Sequence, residues 1–131
     1  MQTYALAATG RLLIAGLFLL SGLGKIAAPA MTQAYIASAG LPAPMLAYAA
    51  TIAVEVGGGV LLLIGYQARI VALALAAFTL VAAVAFHANF GDQNQMIHFL
   101  KNVAIAGGLL QVAAFGAGAL SVDARRLRVA H

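Results

Sequence analysis

No cysteine occurs in the 131 residues, which removes disulfides, thiolate metal ligands and thiol redox chemistry together. Charge is almost as scarce. Only 8% of the residues are Asp, Glu, Lys or Arg, where a soluble domain carries about a quarter. The inventory is short: Arg11, Lys25, Arg69, Lys101, Arg125, Arg126, Arg128, Glu55, Asp92 and Asp123. So few charges cannot hold in water a chain that is 64% hydrophobic, and lipid is the expected solvent for most of its surface. The usual signatures of soluble catalysis are missing as well. There is no phosphate loop, no Ser/His/Asp set and no pair of carboxylates for acid–base work. His87 and His98 lack HxxxH or HExxH spacing, so no metal site is expected. The net charge of +4 does not indicate nucleic acid, because no basic stripe is interleaved with stacking aromatics.

Four apolar stretches fill the chain, at about 4–24, 44–64, 69–87 and 97–119. Each is near the roughly 20 residues that cross about 30 Å of hydrocarbon. The expected fold is all-α: a single domain over residues 1–131 forming an integral membrane bundle of four transmembrane helices. Ala28-Pro29-Ala30 has the small-x-small form of a signal cleavage site. However, no positive cluster precedes the apolar run, and Lys25 lies just before the supposed cut, so the first stretch reads as a true helix. Between the first two spans, Met31 to Ala39 predicts a short interfacial helix closed by Gly40 and Pro42. Arg69 and the Arg125, Arg126 and Arg128 cluster fall on one side of the bundle, with Lys25 alone on the other. By the positive-inside rule both termini are then cytoplasmic. Gly57, Gly58, Gly59, Gly107 and Gly108, with Ala72, Ala76 and Ala83, are expected to let the helices approach closely.

Ionisable residues within the spans are the candidate functional groups, since each is costly in hydrocarbon and needs a partner. Counting from the span ends places Arg11 and Glu55 at matching depth, with Thr79 and Gln111 in the same layer. A buried polar layer of Arg11, Glu55, Thr79 and Gln111, with Arg11 and Glu55 paired, is the expectation. Arg11, Ala15, Phe18, Gly22 and Lys25 follow the spacing of one helix face. A second group, Lys25, His87, His98, Lys101 and Asn102, gathers at the opposite ends of the helices, with Glu55 reaching toward it. Walled by Phe18, Phe86, Phe90 and Phe99, such a cavity suits a carbonyl-bearing ring such as a quinone. The competing readings are a register-fixing role for the Arg11–Glu55 pair without any ligand, and snorkelling of Lys25 to headgroups.

Taken in order, several segments resemble the DoxX family of small bacterial inner-membrane proteins. They are Arg11, Phe18-Leu19-Leu20-Ser21-Gly22-Leu23-Gly24-Lys25, Gly40-Leu41-Pro42, Glu55-Val56-Gly57-Gly58-Gly59, Phe86-His87, Lys101-Asn102, and Gly116-Ala117-Gly118-Ala119-Leu120-Ser121-Val122-Asp123. The resemblance covers nearly the whole chain. It implies a four-helix inner-membrane bundle, association with respiratory or redox systems, and a membrane oxidoreductase partner. It also implies that Arg11, Lys25, Glu55 and Lys101 occupy recurrent charged positions. Quinone-reducing bundles that work through cysteine pairs are excluded by composition. Three functions stay open: a redox accessory protein binding a quinone or similar ring at Lys25, Glu55, His87, His98, Lys101 and Asn102; a structural subunit that recruits a partner; and a small transporter or proton path, which would need a homo-oligomer to make room for alternating access.

Overall fold

A computed structural model describes residues 2–129. Six helices account for most of it: α1 (Gln2–Ala27), α2 (Pro29–Ser38), α3 (Pro44–Ile64), α4 (Ala68–Phe86), α5 (Gln93–Phe115) and α6 (Val122–Val129). Four of them, α1, α3, α4 and α5, are long and apolar enough to cross a membrane, and among the described residues there is no strand. They run up, down, up and down, with α1 packed on α3, α4 on α5, and α3 joining the two pairs.

The helix boundaries have local causes. Pro29 and Pro44 stand in the first turns of α2 and α3, where the missing N–H would be unbonded anyway. The α2 helix therefore begins two residues before the Met31 start read from periodicity. Gly65 ends α3 at φ 74°, and a Cβ there would meet Ser121 Cβ at 2.5 Å and Arg11 Cζ at 3.1 Å. Only glycine satisfies both the backbone and the space. Asp92 caps α5 by accepting from the Asn94 N–H at 2.9 Å. Gly116 ends that helix at φ 82°. The fourth span is thus Gln93–Phe115, four residues earlier at each end than the 97–119 read from hydropathy. Hydropathy discounts the polar first turn that Asp92 initiates and credits the apolar but non-helical residues after Gly116.

Packing joins the pairs through small residues. Ala15, Phe18, Leu62, Val71, Ala72, Leu75, Ala76, Ala106 and Leu109 form the core. A Cβ on Gly58 would meet Leu75 Cδ2 at 2.9 Å, and one on Gly59 would meet Leu19 Cγ at 2.9 Å, so both permit the close approach expected of them. Gly57 and Gly107 do not, because nothing lies within 4 Å of either Cβ position. They face outward from the bundle.

Arg11 is buried and organises the end of the bundle that carries both termini. Its guanidinium donates to the carbonyls of Ala117 and Leu120, the latter at 2.8 Å. Arg69 donates to the Ala114 carbonyl at 2.8 Å, so two arginines satisfy acceptors at and beyond the C-terminus of α5. Asp123 completes the clasp. Its two carboxylate oxygens accept from the Gln67 and Ala68 N–H groups at 2.7 and 2.8 Å, capping α4 from 55 residues away. Arg11→Ala is expected to cost about 3 kcal/mol, as two charge-assisted bonds are lost. Amide exchange confined to the 116–121 segment should accelerate; unchanged protection there would show that the loop holds itself.

Candidate functional site

The half of the bundle away from the termini holds the second polar group. Gly22 lets α1 approach α3 so closely that its Cβ would stand 2.6 Å from Val56 Cγ2 and 3.3 Å from Glu55 Cβ. Around Glu55 the α3 backbone widens into a π turn, Ala53–Gly57, of the kind that often marks a functional position. Its carboxylate is buried, with 6% of the side chain exposed. Lys25 Nζ donates to Glu55 Oε1 at 2.9 Å, to Oε2 at 3.1 Å and to Ser21 Oγ at 2.7 Å. The Tyr48 hydroxyl donates to the Lys25 carbonyl at 2.9 Å, tying the open end of α3 to the end of α1. Lys25–Glu55 is the only ion pair among the described residues.

This pair replaces the one read from sequence. Arg11 and Glu55 do not meet: Arg11 lies beside the last turn of α3, near the Leu63 carbonyl. Glu55 is eight residues back along that helix, about 12 Å at 1.5 Å per residue. Matching depths were inferred by counting from span ends, but the guanidinium reaches toward the helix ends rather than toward the middle. Gln111 also leaves the expected layer. It is exposed and only four residues from the end of α5, while the inward face of that helix carries Ala106 and Leu109. Thr79 is buried, and its hydroxyl donates to the Leu75 carbonyl at 2.7 Å. Asn102 Nδ2 donates to the Thr79 carbonyl at 3.3 Å, linking α5 to α4 here.

Beside the ion pair opens a cavity of about 570 Å³, within the range of small-molecule sites. Lys25, Glu55, His87, His98, Lys101 and Asn102 all line it, together with Thr79. Its apolar walls are Phe18, Phe78, Phe86, Val54 and Ile105, and α2 contributes Thr32, Tyr35 and Ile36. The Tyr35 ring stacks on Phe86 at 5.3 Å between centroids, so α2 covers one side of the opening. The His87 and His98 rings are 5.1 Å apart. Burial, and secondarily the neighbouring His98, push the His87 imidazole below its ordinary pKa, favouring the neutral ring with one donor and one acceptor nitrogen. Phe90 and Phe99 are not in the wall. They pack edge to face on one another at 5.0 Å, because Phe90 lies in the loop beyond the helix end. Among the described residues no three His, Asp or Glu side chains converge on a metal-sized site.

Sequence reasoning missed Ser21, Tyr48, the π turn and the α2 contribution. Ser21 stands four residues before Lys25, a spacing that does signal contact on a helix; the others depend on how distant segments pack. Chemically, the arrangement offers a polar floor in an aromatic and aliphatic chamber, with imidazole, amide and ammonium donors on one side. Lys25→Met and Glu55→Gln are each expected to lower stability in detergent, since either leaves a charge without its partner. The double variant should lose less than the sum, with a coupling of about 1–3 kcal/mol. Strict additivity of the melting shifts would show that the two groups act separately.

The family model described as DoxX matches residues 6–88. Inner membrane protein YqjF of Escherichia coli strain K12 is 42% identical over 113 residues, covering 86% of this chain and 85% of that protein. Inner membrane protein YphA of the same organism is 36% identical over 121 residues, covering 88% of this chain and 86% of its own. No solved structure matches the chain.

Proposed function

The chain belongs to the DoxX family and is a multi-pass integral inner-membrane protein, and from that premise we propose that it binds a quinone or similar amphipathic ring in the cavity beside the Lys25–Glu55 pair, as an accessory subunit of a membrane redox system. One observation carries the reading. The six residues read from sequence as ligand-binding, scattered from Lys25 to Asn102, line one chamber of about 570 Å³ with aromatic walls. Such a chamber takes a flat ring against Phe86 and Phe18 while donors from His98, Lys101 and Asn102 meet its oxygens. With no cysteine in the chain, electrons would travel through the bound ring or a partner oxidoreductase.

The orientation proposed has both termini in the cytoplasm, because Arg69, Arg125, Arg126 and Arg128 gather at that end of the bundle. A fluorescent protein fused to the C-terminus should fold and fluoresce in cells, whereas a periplasmic phosphatase fused there should stay inactive. The reverse pattern would invert the topology and put the cavity on the cytoplasmic side.

A second reading has support from the ion pair itself. The three donors of Lys25 are all engaged, by Ser21 and both Glu55 oxygens, as a self-contained device for helix register would require. On that reading the protein is a structural subunit that recruits a partner. Native mass spectrometry with lipid extraction, on protein purified gently from its own membrane, separates the two. A stoichiometric ring compound is expected, and it should vanish in Ala82→Trp, which fills the cavity without touching its charges, at an unchanged melting temperature. A clean mass for the wild type would favour the structural subunit.

A further inference from the structure

The charge inventory of the chain is small enough to close, and it leaves one cation over inside the cavity. Of its three carboxylates, Glu55 faces Lys25 at 2.9 Å. Asp92 accepts from the Asn94 N–H, and Asp123 accepts from the Gln67 and Ala68 N–H groups at the far end of the bundle. Nothing acidic remains for Lys101. Among the described residues it has no ion-pair partner, yet it lines the same cavity as Lys25 and Glu55. Lys101 is an exposed residue eight positions into α5 from Gln93 and four into its apolar run. An ammonium group in lipid surroundings needs a counter-charge or water. Other polar groups of the lining, His87, His98, Asn102 and Thr79 among them, supply hydrogen-bonding atoms but no negative charge. The lining thus carries two ammonium groups against one carboxylate.

We propose that the cavity selects an amphipathic ring bearing a single negative charge, a carboxylate or an enolate, with its anion seated on the Lys101 ammonium. The proposal rests on the ring-binding reading for where the ligand sits and adds its charge. Lys25 is already neutralised by Glu55, so the anion is drawn to the Lys101 side of the chamber, where the His98 and Asn102 donors also lie. A neutral ring fits the same walls but leaves Lys101 without a counter-ion. In surroundings of low dielectric that difference is large compared with the same contact in water.

Two probes share one ring and differ in charge. At neutral pH 2-hydroxy-1,4-naphthoquinone is an enolate, and its methyl ether is uncharged. Binding of each to the full chain in phosphatidylcholine nanodiscs is measured by equilibrium dialysis, with empty nanodiscs to subtract partition into lipid. The wild type is expected to hold the enolate about tenfold more tightly than the ether or better. Lys101→Gln should erase that preference by weakening the enolate about tenfold more than the ether, and Lys101→Arg should keep it. Melting temperatures of both variants identify any that misfold. Equal binding of the two probes overturns the charge assignment while the ring-binding reading stands. Binding of neither overturns both. A preference that survives in Lys101→Gln moves the anion away from Lys101 and overturns the assignment as stated.

Discussion

Hydrocarbon offers an ionised side chain no water to fall back on, so in this chain the placement of three carboxylates among seven cations constrains everything else. Each carboxylate goes where a positive group has no other answer. Glu55 meets the Lys25 ammonium inside the bundle, and Asp92 and Asp123 meet the exposed N–H groups at the starts of α5 and α4. Two of the cations left without acids turn to a complementary helix end. Arg11 and Arg69 take carbonyls at and after the C-terminus of α5, where the helix dipole is negative. Acids at helix starts and arginines at a helix finish follow one electrostatic rule.

That rule divides the molecule into two ends with different work. At the end carrying the termini, Arg11, Arg69 and Asp123 cross-link α1, α4, α5 and the start of α6 through backbone atoms, which demand fixed geometry and leave little to move. The opposite half encloses a chamber, α2 adds to its lining, and Tyr35 on Phe86 is the contact that closes one side.

Glu55 joins the two halves. The π turn that carries it adds a residue to the helical circuit, so the carboxylate can face Lys25 while the glycines that follow still face Leu75 and Leu19. In a regular α-helix the packing face and the charged face would be locked in one phase. Here the widened turn shifts one against the other. The cavity therefore lies beside the one place in α3 where the backbone leaves regular α-helical geometry.

Much of this was legible from residue order. Four apolar runs of the right length, broken by punctuation, are sufficient for four spans because no other structure satisfies backbone groups in lipid. The inward face of α1, from Arg11 through Ala15 and Phe18 to Gly22, follows from helical spacing alone, and so does the gathering of Lys25, His87, His98, Lys101 and Asn102 at one end. What stayed hidden was partnership. Opposite charges at similar counts from the span ends suggest Arg11 with Glu55, but Arg11 donates to carbonyls more than a hundred residues away, and every residue has a carbonyl, so sequence carries no mark of which ones serve. Counting from a helix end set four residues too late puts Gln111 at mid-depth, whereas it stands four residues from the end of α5. Composition and periodicity determine solvent, number of spans and facing, since these depend on each segment alone. Pairing, depth and the shape of the cavity were decided only by tertiary structure, because they depend on where independent helices come to rest against one another.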